Sequence, residues 1–404
     1  MRQSDEWANL EIVLISDETA ELSPTARTLS EARLLQTVSV NFRDRAQLAR
    51  AIQPYKQSIA GVTCRGDRHV QYMRYLVDVL PSAVRVPTKK ALHTATNKRL
   101  MREAMRLSAP ELTPRYVQVK DGSPASVALI ERRLGYPVIV KPASLASSLL
   151  IKACNSRAEL ATTLNHIFSV IDHVYSQEGR HDQPEVVVEE FLEGSFYSVY
   201  AYVGGLDEIY YCPPVRYVTA KQRSIDDFHI YKRSLPAGLD DKTVAEAYQA
   251  AGAAITAVGL TYSTAHVELV KSPSGWKIIE LGPRVGRFRI KMYGLSYGID
   301  HSLNDIKIRL GVQPDITCKS RQFTAAYSIY PNKEGTLRQI KNLQTVVSSP
   351  LCAWYKIWRQ PGQPCQYACH GGHALAEFII TSDNYKSFGQ QVAFIEKNVV
   401  AEVD

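Results

Sequence analysis

Residues 264–286 read TAHVELVKSPSGWKIIELGPRVG, in which two runs of alternating apolar and polar residues flank the segment Ser-Pro-Ser-Gly. Alternation with a period of two is typical of strands, and a short Gly-containing segment between two such runs predicts a β-hairpin. If the turn centres on Ser274, Glu268 lies opposite Glu280. His266 then lies on the same face of the hairpin.

The opposite face of the predicted hairpin is apolar. Side chains alternate along a strand, so Val267, Leu269, Ile279 and Leu281 would point away from the two glutamates. We expect these four side chains in a hydrophobic core.

Two directly opposed carboxylates repel each other, by up to about 1 kcal/mol. A hard divalent cation between Glu268 and Glu280 would remove the repulsion, and Mg²⁺ commonly shares such a site with substrate phosphates. Two alternatives remain open. The glutamates could pair with Lys271 and Lys277 in a solvated hairpin, or the register could slip by one residue.

The composition is that of a globular chain with two or three domains, with 404 residues, 45% hydrophobic and 22% charged. No apolar run reaches the roughly 18 residues of a membrane span, and the first ten residues lack the pattern of a signal peptide. We therefore expect a cytoplasmic protein with no membrane partner.

The seven cysteines are scattered, which argues against a disulfide framework. Cys365, Cys369, His370 and His373 could suggest zinc, but ordinary zinc sites separate two ligand pairs by a longer stretch. The other interpretation is a Gly-rich turn that leads into a strand at 374–380.

The formal charge of +8 raises the question of nucleic acid. Basic residues gather at 89–106 and 284–291, without a nucleic-acid recognition motif beside them. A small polyanion explains them equally well, and we expect no nucleic-acid partner.

The first 86 residues predict a doubly wound α/β domain. Strand-like runs at 11–16, 37–42 and 58–64 alternate with helices opened by Ser23-Pro24 and by Asp44. The segment lacks G-x-G-x-x-G, which argues against dinucleotide binding.

The remainder predicts α+β layers. Domains are expected at 87–190, 191–312 and 313–404, the last as an additional lobe or lid with a closing helix at 384–397. Within them we expect the elements that follow: helices at 96–107 and 156–175, and strands at 113–119, 136–142, 149–154, 185–194 and 196–205.

Five ordered motifs resemble those of the ATP-grasp superfamily. ELGPRVG at 280–286 resembles its metal-binding motif, and HVE at 266–268 its H-x-E. YPVIVKP at 136–142 and NKRLM at 97–101 are similar to its two phosphate-lysine segments, and EEFLEG at 189–194 to the hinge between its nucleotide-binding lobes. The resemblance covers roughly residues 11–312, and the most similar subgroup is that of the L-amino-acid ligases and related carboxylate–amine ligases.

The resemblance implies an ATP-grasp fold with an N-terminal pre-ATP-grasp domain and a C-terminal lobe. It also implies nucleotide contacts. Lys98 and Lys141 would hold phosphates, since an ammonium group is a compact donor. The remaining implied ATP-binding residues are Ser147 and Ser148 of the phosphate loop, Glu189 as acceptor from the adenine amino group, Phe191 and Leu192 as backbone contacts to the ring, and Lys221.

The resemblance assigns chemistry to the hairpin. Glu268 and Glu280 would bind Mg²⁺, with Mn²⁺ as an alternative ion. Arg284 would stabilise an acyl phosphate, because a guanidinium suits developing negative charge. A structural salt bridge is its alternative role. His266 and Arg287 would bind substrate, the latter at the start of a basic run that suggests an anionic substrate or a solvated helix end.

The chain departs from the superfamily pattern at three places. Its phosphate loop, ASLASSLL at 143–150, has no glycine, so φ > 0 and close approach to phosphate are harder for its backbone. Phe196 replaces the glutamate that binds the ribose, and Gly282 replaces the asparagine of the metal site. Water or a bidentate Glu280 would have to supply the metal ligand that the asparagine provides in the superfamily. Lys221 and Arg223 are alternatives for the further cation that contacts the β-phosphate.

Two functions follow from the resemblance. The first is an ATP-dependent carboxylate–amine ligase that forms an amide through an acyl phosphate and releases ADP and phosphate. Its partners would be a small carboxylate and an amine, and a homodimer remains open. The second is a regulatory module that binds nucleotide and has lost turnover, as the departures would suggest.

Overall fold

The computed structural model describes residues 10–19, 36–205 and 207–404, and of Arg287 the backbone alone. Its strands are β1 (Val13–Asp17), β2 (Gln36–Val40), β3 (Tyr116–Val119), β4 (Val138–Pro142), β5 (Lys152–Cys154), β6 (Val186–Glu190), β7 (Ser195–Val203), β8 (Ile209–Tyr211), β9 (Val215–Thr219), β10 (Ile230–Leu235), β11 (Ser263–Ser272), β12 (Gly275–Gly282), β13 (Phe323–Ile329), β14 (Gly335–Lys341), β15 (Cys352–Ile357), β16 (Pro364–Cys365), β17 (Ala376–Ser382) and β18 (Val400–Val403).

The α-helices of the described residues are α1 (Arg45–Ile52), α2 (Asp67–Leu76), α3 (Lys89–Thr96), α4 (Lys98–Ser108), α5 (Pro124–Leu134), α6 (Arg157–Gln177), α7 (Asp241–Val258), α8 (Arg287–Tyr297), α9 (His301–Arg309), α10 (Leu343–Val347) and α11 (Tyr385–Asn398). None of these helices combines the length and the hydrophobicity that crossing a membrane requires.

Two antiparallel sheets position the candidate site. One has four strands in the order β3-β6-β4-β5, and α5 and α6 cover its apolar face. The other has nine strands in the order β12-β11-β7-β9-β10-β13-β17-β15, with β8 beside β7. Helix α7 packs on the apolar face of β7, β11 and β12. The opposite face of this hairpin is free to carry polar side chains.

The region predicted as a C-terminal lobe shares the large sheet. Strand β13 pairs with β10, and β17 and β15 continue the sheet outward. A smaller sheet of β16, β14 and β18 completes this region. Residues beyond 313 therefore extend the sheet to which the hairpin belongs. The bounds of the four domains stay a prediction.

The hairpin register was predicted correctly where the glutamates lie. Glu268 pairs with Glu280 and His266 with Gly282. A β-bulge then shifts the register, so that Leu269 pairs with Ile278 and the turn closes between Ser272 and Gly275.

The bulge makes one core prediction wrong. It turns Ile278 into the core, fully buried, while Ile279 lines the polar cavity. A bulge places two residues of one strand opposite one of its partner, and this reverses the alternation on which the prediction depended. Val267, Leu269 and Leu281 are in the core as expected.

The helix predicted at 96–107 is confirmed as α4, Lys98–Ser108, but it begins two residues later than predicted. Asn97 has extended backbone angles, and its side chain accepts a hydrogen bond from the N–H of Leu100 at the start of α4. Asparagine favours this capping position over a helix interior. The helical pattern therefore divides into α3 and α4, and Lys98 becomes the first residue of the second helix.

The N-terminal prediction is confirmed in part. Strands β1 and β2 form a parallel pair, and Asp44 caps α1. The strand predicted at 58–64 is wrong: no strand forms there, and the Thr63 hydroxyl donates instead to Asp305 of α9. The helix predicted at Ser23-Pro24 lies outside the described residues.

Candidate active site

A cavity of about 820 Å³ opens between the four-stranded and nine-stranded sheets. It brings together nearly all of the residues that the sequence singled out. Those lining it are Lys98, Lys141, Ser147, Ser148, Glu189, Phe191, Leu192, Lys221, His266, Glu268, Glu280 and Arg284. Arg287 begins α8, and its side chain lies outside the described part of the structure. The placement is observed, whereas the roles remain predictions.

The carboxylate pair lies on the cavity face of the hairpin. Burial, and then the charge of Glu280, raise the pKa of Glu268. The Tyr217 hydroxyl donates to Glu268 Oε2 over 3.2 Å, and Glu280 Oε1 lies 3.6 Å from Lys98 Nζ. Two close carboxylates that are both half-buried attract a cation.

His266 connects the carboxylate pair to Arg284. Its Nε2 lies 3.5 Å from Glu268 Oε1, and its Nδ1 lies 3.5 Å from Arg284 Nη1. Burial and the nearby guanidinium groups lower the pKa of His266 well below its ordinary value, so the ring is neutral. A guanidinium can only donate, so Nδ1 accepts and the ring proton lies on Nε2, which faces Glu268.

Arg284 is held by a carboxylate from the N-terminal region. Its Nε and Nη2 donate to the two oxygens of Asp67 over 2.8 and 2.6 Å. Burial alone would raise the pKa of Asp67, but the Arg284 charge and hydrogen bonds keep it below its ordinary value. The salt bridge weighed as an alternative for Arg284 is thus present, at the edge of the cavity.

The Asp67–Arg284 pair also occupies the space beside Gly282. A Cβ atom at position 282 would lie 3.4 Å from Asp67 Oδ1 and 3.8 Å from the guanidinium carbon of Arg284. Glycine at this position therefore leaves room for an ion pair that a larger side chain would crowd.

The lysine side of the cavity is charge-matched by Glu189. This buried carboxylate accepts from Arg102 Nε and from Lys141 Nζ, each over 2.7 Å. Burial would raise the pKa of Glu189, but these two cations lower that pKa to about 2. Both Glu189 oxygens already accept hydrogen bonds from the protein, and the adenine contact assigned to this residue stays a prediction.

The phosphate loop takes left-handed conformations without glycine. Ser147, Ser148 and Leu150 have φ of 58°, 63° and 58°. Such values at ordinary residues store strain of about 1–3 kcal/mol each. The N–H of Leu150 donates to the carbonyl of Cys369 over 3.0 Å, so the C-terminal region supports the loop.

The hinge and its neighbours form the remaining wall. The Phe191 N–H donates to the Pro137 carbonyl over 3.1 Å, so a ligand would have to read other backbone groups. Phe196 packs on Tyr217 with ring centroids 5.6 Å apart. An aromatic ring thus stands where the resemblance implies a ribose-binding carboxylate.

The structure separates the two candidate β-phosphate cations. Lys221 lines the cavity and donates to Asp226 over 2.8 Å. Arg223 covers the Tyr231 ring at 4.2 Å and donates to the carbonyl of Glu396. Geometry favours Lys221.

Sequence reasoning assigned no role to several charged residues in or beside the cavity, among them Asp67, Arg102, Arg233 and Arg289. They come from α2, α4, β10 and α8, and each becomes a site residue only through tertiary contacts. The basic run at 287–291 was the one available signal, and it pointed to Arg287 rather than to Arg289.

The residues present fit a hard cation that brings further ligands with it. Among the described residues, no three His, Cys, Asp or Glu side chains form a cluster that could hold a metal alone. Glu268 and Glu280 supply two carboxylates, and Mg²⁺ usually completes its shell with water and substrate phosphates. The other candidate metal site was the sequence cluster of Cys365, Cys369, His370 and His373. In the structure, Nδ1 of His370 lies 2.7 Å from Oε1 of Glu334.

Comparison with known proteins agrees with this geometry. Residues 134–291 match the family model of the ATP-grasp domain, which confirms the resemblance to the ATP-grasp superfamily. The L-amino acid ligase from Bacillus licheniformis superimposes with a TM-score of 0.78 at 16% identity, covering 98% of this chain and 93% of that one. The N5-carboxyaminoimidazole ribonucleotide synthetase from Thermotoga maritima gives a TM-score of 0.66 at 13% identity, covering 99% and 94%. The chain has the ATP-grasp fold.

Sequence relatives are more distant. The uncharacterized protein y4rH of Sinorhizobium fredii (strain NBRC 101917 / NGR234) is 24% identical, over 69% of this chain and 55% of its own length. A D-alanine–D-alanine ligase of Marinomonas sp. (strain MWYL1) is 27% identical, over 47% of this chain and 57% of its own. The chain thus spans little more than half the length of these curated relatives.

Proposed function

We propose that the protein is an ATP-dependent carboxylate–amine ligase. It would transfer the γ-phosphoryl group of ATP to a carboxylate, and an amine would then displace phosphate from the acyl phosphate to give an amide. One observation carries the proposal: the opposed carboxylates of Glu268 and Glu280 are flanked in a single cavity by Lys98 on one side and by His266 and Arg284 on the other.

Phosphoryl transfer depends mainly on positioning and charge stabilisation. Lys98 and Lys141 would bind nucleotide phosphates, helped by the hydroxyls of Ser147 and Ser148. Both lysines are buried and fixed by protein partners, Leu145 O for Lys98 and Glu189 for Lys141. Their positions therefore exist before a nucleotide binds, which reduces the entropy lost on binding.

Glu268 and Glu280 would hold Mg²⁺, which neutralises phosphate charge and draws the reacting oxygens together. Mn²⁺ suits the same oxygen ligands. The Tyr217 hydroxyl donates to one oxygen of Glu268, and His266 Nε2 lies 3.5 Å from the other oxygen.

Arg284 would stabilise the negative charge that develops on the acyl phosphate and on its adduct with the amine. Asp67 holds two of its donors, and Nη1 points to the accepting Nδ1 of His266. The guanidinium is thereby fixed before substrate arrives, as electrostatic catalysis requires.

The fold supports this reaction class. Similar folds include an L-amino acid ligase and an N5-carboxyaminoimidazole ribonucleotide synthetase. A regulatory module that binds nucleotide would share the fold and the lysines, but it has no need of an arginine fixed by Asp67 beside the carboxylate pair.

The test is a screen for ADP release with Mg-ATP and pairs of amino acids and small carboxylates, followed by mass spectrometry of the products. Turnover should require an acid and an amine together, and Glu280→Gln should eliminate it. Glu111→Gln, an exposed glutamate away from the cavity, is the matched control and should behave as the parent.

Thermal unfolding separates the two functions. A ligand that binds only the folded state raises the midpoint, so Mg-ATP should stabilise the parent more than ATP with a chelator. Mg-ATP binding without turnover on any pair would favour the regulatory module. The absence of both binding and turnover would contradict each function.

A further inference from the structure

Two guanidinium groups in the cavity have only neutral hydrogen-bond partners. Arg233 Nη1 donates to Ile230 O and Ser328 Oγ over 3.3 and 3.2 Å. Arg289 Nη2 donates to Ser198 Oγ over 3.2 Å. In the part of the chain that the structure describes, neither group forms a salt bridge with a carboxylate.

Aromatic rings support both groups. The guanidinium carbon of Arg233 lies 4.9 Å from the centroid of the Phe288 ring, and that of Arg289 lies 5.6 Å from the Tyr200 ring. Such contacts favour a cation and hold the plane of the guanidinium. Arg289 Nη1 also contacts Met292 Sδ over 3.9 Å, and the N–H groups without a protein partner can donate to a ligand.

One of these donors is buried without a partner. Arg289 is 3% exposed, and its Nε has no hydrogen-bond acceptor among the residues that the structure describes. Leaving a buried donor unsatisfied costs about 1–3 kcal/mol, more for a charged group. A cavity-lining side chain with such a donor is built for an acceptor that a ligand brings.

The two like charges oppose each other. Burial, and then the charge of Arg289, lower the pKa of Arg233 to about 9. The ionisable groups around them include Glu268, Arg284 and Tyr200. The negative charge of Glu268 acts in the opposite direction on the pKa of Arg233, and a cation bound between Glu268 and Glu280 would offset that charge. The carboxylate of Glu377 also lines the cavity, and Glu377 pairs in register with Ser328.

We propose that Arg233 and Arg289 bind a second anionic group of the substrate, a carboxylate or a phosphate that is not the group activated by ATP. This inference rests on the proposed ligase function and specifies its substrate class. The activated acid would then be an acidic amino acid or a phosphorylated small molecule, because planar guanidinium edges match both carboxylate and phosphate oxygens.

The position of the pair argues against nucleotide phosphate as its ligand. Its contacts, Ser198, Ser328, Tyr200 and Phe288, belong to the nine-stranded sheet and α8. The lysines with nucleotide roles instead contact Leu145 of the loop and Glu189 of β6. In the strand register, Ser198 lies opposite Glu268, which puts Arg289 on the Glu268 side of the carboxylate pair.

A binding measurement tests the site without turnover. Titration calorimetry with inorganic phosphate and with succinate, in a chloride buffer, would compare the parent with Arg233→Gln and Arg289→Gln. We expect at least tenfold weaker binding of one of the two anions in each variant. Arg338→Gln, an exposed arginine paired with Glu402, is the control and should bind as the parent. Equal binding in the parent and both cavity variants would overturn the inference.

Turnover provides the second test, with isosteric substrates that differ in one charge: glutamate against glutamine, aspartate against asparagine, and O-phosphoserine against serine. We expect kcat/KM to favour the charged member at least tenfold, and the preference to disappear in Arg289→Gln while the KM for ATP stays within about threefold of the parent. Arg289→Lys keeps the charge and should restore part of the preference.

The outcomes separate the two proposals. Turnover that favours neutral substrates and is indifferent to Arg289→Gln overturns this inference and leaves the ligase intact. A large rise in the KM for ATP in the same variant also overturns it, because the pair would then serve the nucleotide. If no substrate pair turns over, the ligase fails, and the phosphate and succinate titrations still decide whether the anion site exists. Circular dichroism of each variant confirms that it is folded.

Discussion

The two ends of the cavity differ in whether their positively charged side chains are paired with carboxylates. At the end near the four-stranded sheet, Glu189 pairs with both Lys141 and Arg102, and Glu280 lies near Lys98. At the end near α8, the described hydrogen-bond partners of Arg233 and Arg289 are neutral, whereas Arg284 pairs with the carboxylate of Asp67.

The charges of the first end are already paired within the protein, whereas the charges of the second end would be paired when a ligand binds. Matched charges hold side chains in one arrangement even when the cavity is empty of ligand. Unmatched buried cations are costly in isolation, and an incoming anion relieves that cost. We interpret the first end as the nucleotide side and the second as the substrate side, with the carboxylate pair between them.

The largest expected effect comes from the carboxylate pair. Glu280→Gln and Glu268→Gln should each lower turnover to below about one-hundredth of the parent rate, as losing one electrostatic contact to the transition state commonly does. Both variants should fold, because glutamine preserves the side-chain volume. ADP release at saturating Mg-ATP measures the effect, and near-normal activity in either variant would mean that this hairpin is not the metal site.

The next effect concerns stability at the matched end. Arg102→Met would leave Glu189 buried with Lys141 as its remaining cationic partner, and breaking a buried pair in this way destabilises by about 3–5 kcal/mol. Arg102 also donates to the carbonyl of Ile279 over 2.6 Å and so joins the two sheets. Urea unfolding measures the change, and Arg106→Met, exposed on the same helix, is the control. A loss below about 1 kcal/mol would show that the pair is not a structural anchor.

A smaller effect is expected where the N-terminal region meets the site. Asp67→Asn preserves shape but removes the charge that fixes Arg284, so kcat should fall about tenfold with little change in the KM for ATP. Asp78→Asn, which removes only an exposed pair with Lys89, is the matched control. A purely structural role for Asp67 would lower the thermal midpoint and leave kcat of the folded protein unchanged.

The smallest effect is a pH dependence. Because the pKa of Glu268 is raised in the folded protein, the unfolded chain loses this proton at a lower pH than the native state does. The metal-free protein should therefore lose stability as the pH rises from about 4.3 through the raised pKa of Glu268, by up to about 1 kcal/mol. Urea unfolding at stepped pH should show this decline in the parent and not in Glu268→Gln. An identical decline in both would assign it to another group.

The sequence predicted the site best where local pattern determines geometry. The position of Glu268 opposite Glu280 followed from strand alternation and a short turn. The same reasoning wrongly predicted Ile279 in the core, because no residue in 268–280 indicates a β-bulge. Asn97 is recognisable in retrospect as a cap that divides a helical pattern, since its type favours that position.

The missed residues share a different cause. Asp67 meets Arg284 across 217 positions of chain, and Arg102 meets Glu189 across 87. No periodicity or spacing links residues so far apart, because the folding of separate sheets brings them together. The glycine-free phosphate loop shows the same limit of sequence reasoning. Its composition argued against positive φ angles, yet three of its residues have them. The loop also has a tertiary contact, the hydrogen bond from the Leu150 N–H to the Cys369 carbonyl, which its composition does not indicate.

One isotope measurement tests the central claim most directly. A substrate pair found in the screen would be supplied with its reacting carboxylate labelled with ¹⁸O, together with unlabelled Mg-ATP. If the carboxylate is activated as an acyl phosphate, each amide formed should release one inorganic phosphate that carries one ¹⁸O atom, in step with one ADP. Labelled AMP with pyrophosphate would show adenylation instead, and unlabelled phosphate formed beside the amide would contradict the acyl-phosphate account.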